Sequence, residues 1–366
     1  MRLLITTDTV GGVWRFAHQL TRGLLQAECS IAMVSFGRQP SDAQRAECRI
    51  LNEQWGERFR FVGTDVPLEW MQENSRSFEE GAAVLERVTR KFDAELLHLN
   101  QFCYGSVRLG VPKVVTAHSD VLSWARACRL RGLEDSAWLR RYRTMVQQGL
   151  EGAGAVAAPT EWMLRALGKG FSLPLNRKII PNGRAVYVRG VYTRRLQAVT
   201  IGRLWDEAKD VALLTQARSP MPLIVAGEVE CDGTRAGAMS GVSLRGSLAE
   251  EETLRLFEES EIYVCTSRYE PFGLAPLEAA LCGCAVVARR IDSLLEVWGD
   301  AAVYFADAEE LSRLLSRLYT DKVMLREMQR RALQRAQSYS LDRMTKQYLA
   351  LFTTVKAEAG EPAHVA

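Results

Sequence analysis

Residues 262–288 read IYVCTSRYEPFGLAPLEAALCGCAVVA, and this stretch decides the fold. Ile262 to Cys265 is a short apolar run bounded by polar residues, the pattern of a strand covered on both faces. After the loop, an apolar helix runs from about Leu274 and stops at Gly283, a residue suited to the left-handed turn past a helix end. Ala285 to Ala288 is a second apolar run. Strand, loop, helix and strand in that order imply a parallel sheet with helical crossovers.

The same rhythm extends in both directions. Ala198–Ile201, Leu223–Ala226 and Ala302–Phe305 read as further strands of the second half, and Leu311, Leu314, Leu315 and Leu318 give a helix one apolar face. In the first half, Leu3–Thr7, Ile31–Phe36, Phe59–Val62, Leu96–Leu99, Val111–His118 and Ala155–Ala158 read as strands. Val13, Phe16, Ala17, Leu20 and Leu24 share one face of the helix after Gly12, while Trp14, His18 and Arg22 share a face that reads as mostly solvated. The turn-forming cluster Ile180-Pro181-Asn182-Gly183 separates the halves. The expectation is an α/β protein of two doubly wound, Rossmann-like domains facing across a cleft, residues 1–182 and 183–338, with ligands at the carboxyl ends of the strands. The segment after Lys356 reads as a disordered tail.

Bulk properties narrow the functional classes. A chain of 366 residues is too long for one ordinary core and suits two domains. With 47% hydrophobic and 25% charged residues it has a water-soluble composition, and a net charge of +3 gives no case for a nucleic-acid partner. Eight cysteines at these spacings make neither a disulfide framework nor a metal site; Cys282 and Cys284 lack further ligands nearby and read as small buried hydrophobes. RLLITTD at the start is a strand rather than a signal peptide, and no apolar run approaches a membrane span, so the cytoplasm is the expected address.

Four loops carry candidate chemistry. Gly11 and Gly12 follow the first strand and open a helix, where amides without a neighbouring Cβ can face a ligand. The full G-x-G-x-x-G fingerprint is absent from this turn, which counts against a dehydrogenase. Arg203 ends a strand and Lys209 lies near the next helix start; two converging cations suit a diphosphate, although either alone is ordinary surface charge. In Glu270–Glu278, Gly273 and Leu274 lie where helix amides favour an anion, and Glu270 and Glu278 are acceptors suited to paired hydroxyls. His118, near the end of a central strand, is balanced between a structural and a functional role. Trp124, Arg126, Arg129, Arg131, Trp138, Arg140, Arg141 and Arg143 read either as solvated helix faces beside Glu134 and Asp135 or as a patch for an anionic acceptor or a peripheral membrane contact of the N-terminal domain, with the first reading favoured. No Asp-x-Asp pair occurs, so a metal site is not expected.

Together these loops resemble glycosyltransferase family 4, retaining enzymes of the GT-B fold. The matching pieces are GGV at 11–13, TAHSD at 116–120, IPNG at 180–183, GRL at 202–204 with Lys209, and residues 270–288, in the family's order. The resemblance implies transfer from a nucleoside-diphosphate sugar donor to an acceptor hydroxyl, with no further cofactor and with a donor phosphate taking the proton. It implies Gly12 close to the donor phosphate or acceptor and His118 near the donor sugar. Arg203, Lys209 and the amides of Gly273 and Leu274 would lie on the diphosphate, Glu270 on the sugar and Glu278 on the ribose. It also implies a final helix over about 339–357 that crosses back to the first domain, ahead of a tail at 358–366. Arg184 and Ala185 stand where a valine and an aspartate are usual, Ile291-Asp292-Ser293 replaces a glycine pair, and Ser119 separates His118 from Asp120. Thr9 and Val10 replace the lysine region of polymerising glucan synthases. The alternatives are a sugar-nucleotide epimerase of the same fold and a non-catalytic nucleotide-sugar-binding protein; base, sugar and acceptor stay open.

Overall fold

In the computed structural model, which describes residues 1–71, 74–130, 136–185, 193–231, 234–237 and 239–360, the strands assemble into two separate parallel sheets. The chain divides into two compact units. The first runs from Met1 to Gly183 apart from Arg126–Arg129 and takes in the chain from Leu341 onward; the second is Arg184–Ser340 with Arg126–Arg129.

In the first unit the elements follow as β1 (Arg2–Asp8), α1 (Gly12–Gln26), β2 (Ser30–Phe36), α2 (Asp42–Trp55), β3 (Phe59–Gly63), α3 (Ser77–Phe92), β4 (Leu96–Leu99) and β5 (Lys113–Thr116), then α4 (Val121–Ala127), α5 (Ala137–Glu151), β6 (Ala155–Ala158), α6 (Glu161–Gly168) and β7 (Arg177–Ile179). The seven-stranded order is β3-β2-β1-β4-β5-β6-β7. β4 and β6 are buried at every residue, which is why they read as unbroken apolar runs. The edge strand β7 is exposed throughout and carries Arg177 and Lys178, so it has no apolar signature. β5 is shorter than expected and ends at Thr116, leaving His118 in the following loop.

The second unit runs as β8 (Arg195–Ile201), β9 (Leu223–Ala226), β10 (Glu230–Cys231), β11 (Thr234–Arg235), β12 (Ser243–Leu244), α7 (Glu250–Glu258), β13 (Ser260–Cys265), α8 (Leu274–Leu281), β14 (Ala285–Arg289), α9 (Asp292–Trp298), β15 (Ala302–Phe305), α10 (Ala308–Thr320) and α11 (Lys322–Gln337). Its sheet order is β12-β9-β8-β13-β14-β15, with β10 and β11 as a separate antiparallel pair. The order places β13 beside β8, so the loops that follow these two strands emerge at one sheet end. Val199, Ile224, Tyr263, Val286 and Leu277 pack in one core cluster between sheet and helices.

The last helix, α12 (Leu341–Gly360), belongs to the first unit and packs on α1. Gly23 of α1 permits the approach, because a Cβ there would overlap the Thr345 hydroxyl. The helix continues to Gly360, past the point where the sequence reads as a tail; residues 361–366 lie outside the described residues. Beneath it runs a buried polar chain. His98 Nε2 lies 2.7 Å from Thr116 Oγ1, which lies 3.1 Å from the Tyr348 hydroxyl. The His98 ring also packs on Tyr348 and Phe352.

Burial first, and the neighbouring His118 second, push His98 down to about 3. With an unfolded value of about 6.5, the stabilising effect of the neutral ring is fully present above that pH and is lost as pH falls towards 3, at about 1.4 kcal/mol per pH unit. Urea midpoints measured from pH 7 to 5 should therefore fall, and His98→Asn should flatten the slope. Equal slopes for the two proteins would contradict this.

The Trp14 face of α1 corrects the sequence reading: Trp14 is 4% exposed, and its Nε1 donates to Glu47 Oε2 at 2.7 Å. Cys282 and Cys284 are free, with burial pushing the Cys282 thiol up to about 12, consistent with inert packing residues. Among the described residues no helix is long and apolar enough to cross a membrane.

Candidate active site

The second unit gathers most of the candidate residues at the carboxyl ends of β8 and β13. β8 ends at Ile201, and the chain turns through Gly202 into Arg203. Arg203 Nη2 lies 2.6 Å from Asp206 Oδ2, its guanidinium sits 5.5 Å from the Trp205 ring, and its Nε is buried with no hydrogen-bond partner among the described residues. Asp206 caps a 3₁₀ turn, Glu207–Lys209, by accepting from the Ala208 amide at 2.9 Å. Burial alone would raise the Asp206 carboxyl, but Arg203 and the Ala208 amide outweigh it and hold the group below its usual range. The expected helix after Lys209 is instead a second 3₁₀ turn, Val211–Gln216, set off by Asp210 at φ 44°.

Lys209 is fixed from the β13 side. The Thr266 hydroxyl donates to Lys209 O at 2.6 Å, and the Arg268 amide donates to Ala208 O at 2.7 Å. Asp210 accepts from Arg268 Nε at 2.8 Å and from Arg289 Nη1. So braced, Lys209 Nζ forms an ion pair with Glu270 Oε2, and the Ser267 hydroxyl lies 3.4 Å from the same oxygen. The pair is partly open, with side-chain exposures of 22% for Lys209 and 14% for Glu270.

Gly273 precedes α8 at φ +93°, a conformation in which a Cβ would also lie 2.7 Å from Pro276 Cγ. Leu274 is the first helical residue, so free amides open beside Glu270. Glu278, one turn further on, is only 5% exposed. Its Oε1 forms a buried ion pair with Arg184 Nε at 2.8 Å.

In the first unit Gly12 begins α1 and is exposed, after Gly11 at φ 87°. His118 Nε2 lies 2.8 Å from Asn100 Oδ1. The Asn100 amide is oriented by its Nδ2, which donates to Thr6 O at 2.6 Å, so His118 donates from Nε2 and keeps Nδ1 as an acceptor. Phe16 packs 4.3 Å from the His118 ring, and burial pushes this histidine down to about 3, so it is neutral at physiological pH. Of the Trp/Arg patch, Trp138 donates to Met71 O at 2.6 Å and Arg141 to Asn74 Oδ1 at 2.9 Å, both structural ties. Arg131, Glu134 and Asp135 lie outside the described residues. No group of three or more metal-ligating side chains occurs among the described residues.

Residues 10–185 match the family described as Glycosyltransferase Family 4, and residues 195–321 match Glycosyl transferases group 1. The chain belongs to glycosyltransferase family 4. Among curated relatives, the serotype-specific mannosyltransferase WbdA of Escherichia coli is 31% identical over 130 residues, 32% of this chain and 16% of that protein. The alpha-maltose-1-phosphate synthase of Mycolicibacterium smegmatis is 29% identical over 234 residues, 53% of this chain and 58% of that protein. The chain thus matches less than two thirds of the length of either relative. Among solved structures, a sucrose-phosphate synthase from Thermosynechococcus elongatus superposes with a TM-score of 0.77 at 17% identity, over 98% of this chain and 100% of that one. Anabaena Alr3699/HepE in complex with UDP and glucose gives 0.73 at 17% identity, over 97% and 100%. These likenesses place the family 4 chain in the GT-B fold.

Several residues around these loops escape a reading of the sequence. Asp210, Arg268 and Arg289 brace the Lys209 turn, yet in the sequence they are isolated charges. Arg184 is visible only as a departure from the family pattern, and nothing local marks it as buried. Ser293, which the sequence marks as part of an altered loop, is instead the second residue of α9, fully buried with Oγ unpartnered among the described residues.

Proposed function

We propose that the protein is a retaining glycosyltransferase that moves a sugar from a nucleoside diphosphate to an acceptor hydroxyl without a divalent metal. The observation that carries this reading is the partly open Lys209–Glu270 pair beside the free amides at the start of α8. Departure of a nucleoside diphosphate develops negative charge on phosphate oxygens and positive charge on the sugar ring. Lys209, the unpartnered Arg203 Nε and the amides of Gly273 and Leu274 answer the first, and preorganised donors of this kind act where water is excluded.

The pairing suggests an exchange on binding. A diphosphate offers Lys209 a second anion, and Glu270 is then free to accept from hydroxyls of the transferred sugar. Glu278 takes the ribose. For the first unit by itself, the reading gives Gly12 a contact with phosphate or acceptor and neutral His118 a contact with sugar. No protein nucleophile is required, because a donor phosphate oxygen takes the acceptor proton. The Anabaena structure with UDP and glucose supports a nucleotide-sugar donor of this class.

A thermal-shift panel of UDP-, GDP-, ADP- and TDP-sugars tests the reading. A cognate donor at ~100 times its Kd should stabilise the fold by about 2.7 kcal/mol. Transfer with the best donor should persist in excess chelator. No shift with any donor, or activity restored only by magnesium, contradicts the proposal.

A further inference from the structure

Arg184 is an arginine in the core, 6% exposed, at the point where the chain enters the second unit. Its backbone is fixed: the amide donates to Tyr339 O at 3.0 Å, and the residue bridges Ser340 in parallel register. Its guanidinium meets two carboxylates from two helices. Nη2 lies 2.8 Å from Glu250 Oε1 at the start of α7, and Nε lies 2.8 Å from Glu278 Oε1 in α8. Burial alone would lower the basicity of the group, but Glu278 and Glu250 outweigh it, so the charge is kept.

A counter-ion lock is one use of such a triad. Two features go beyond it. Arg184 Nε engages only Oε1 of Glu278, at 2.8 Å, so the other carboxylate oxygen lies outside this contact. Glu250 takes the Nη2 hydrogen bond of Arg184 and leaves Nε as its contact with Glu278.

We propose that Arg184 is a positioning residue for nucleotide selection: by holding Oε1 of Glu278 in the core, it turns the other carboxylate oxygen to the ribose diol. This rests on the reading of Glu278 as the ribose acceptor. It makes preference for ribose over deoxyribose depend on a residue that does not itself touch the nucleotide.

Calorimetric titration of the full chain with UDP, GDP and ADP, and with the 2′-deoxy form of the tightest binder, tests this. Wild type should prefer the ribose form about tenfold or more, the value of a hydrogen bond to a charged group. Arg184→Lys keeps the charge, but a single ammonium cannot replace the forked contact, so the preference should fall towards parity. Lys209→Ala should weaken both nucleotides alike and keep the preference. If the lysine variant does not fold, the paired Arg184→Gln, Glu250→Gln variant removes one charge of each sign and gives the same readout. An unchanged preference in the Arg184 variant, with only its melting temperature lowered, overturns the inference. Wild type that binds none of the three diphosphates overturns the donor-site reading beneath it.

Discussion

Lys209→Ala is expected to reduce kcat by about 10²-fold or more, the scale of losing one preorganised donor at a developing anion. Lys209 is held by contacts from the far side of its loop: the Thr266 hydroxyl on its carbonyl, the Arg268 amide on Ala208 O, and Asp210 between Arg268 and Arg289. These contacts use the backbone or Asp210, so the alanine variant should keep the loop in place. The change should fall chiefly on kcat, because the charge Lys209 answers grows as the bond breaks. A variant within a few-fold of wild type would remove Lys209 from the site.

Glu270→Ala should abolish measurable transfer while the protein stays folded. The carboxylate is in ion-pair contact with Lys209 and near the Ser267 hydroxyl, and it is not part of the apolar core of the unit. Its removal releases Lys209 from its partner, so diphosphate binding should be kept or strengthened while sugar orientation is lost. Titration with UDP and a transfer assay on the same preparation separate the two effects. Glu270→Ala that loses diphosphate affinity along with transfer would refute the exchange between Glu270 and phosphate. Because the two residues touch, the double variant should be little worse than the worse single variant.

Much of the architecture is legible in local pattern. Leu96–Leu99, Ala155–Ala158, Leu223–Ala226 and Ala302–Phe305 form strands with the same limits that their apolar runs suggest. Such runs exist because a central parallel strand is covered on both faces, so burial is written into every residue. β7 and β12 carry no such signal: all five of their residues are exposed, and pairing to a neighbour makes them strands. Trp14 went unread as a core residue because the space it fills is made by α2 and Phe61 rather than by its own helix.

Residues 262–288 settled by themselves that this chain is built of parallel strands and crossover helices. They also set which side chains stand in the loop between, since both follow from burial pattern and turn chemistry over a few neighbouring residues. Sequence order does not fix strand order. The placement of β13 beside β8 brings Glu270 to Lys209, and the bridge of Arg184 to Ser340 accompanies an arginine seated between Glu250 and Glu278. These partners are 61, 66 and 94 positions apart. Charges so distant in sequence have no local signature, and only the packed sheet and helices determine which of them meet.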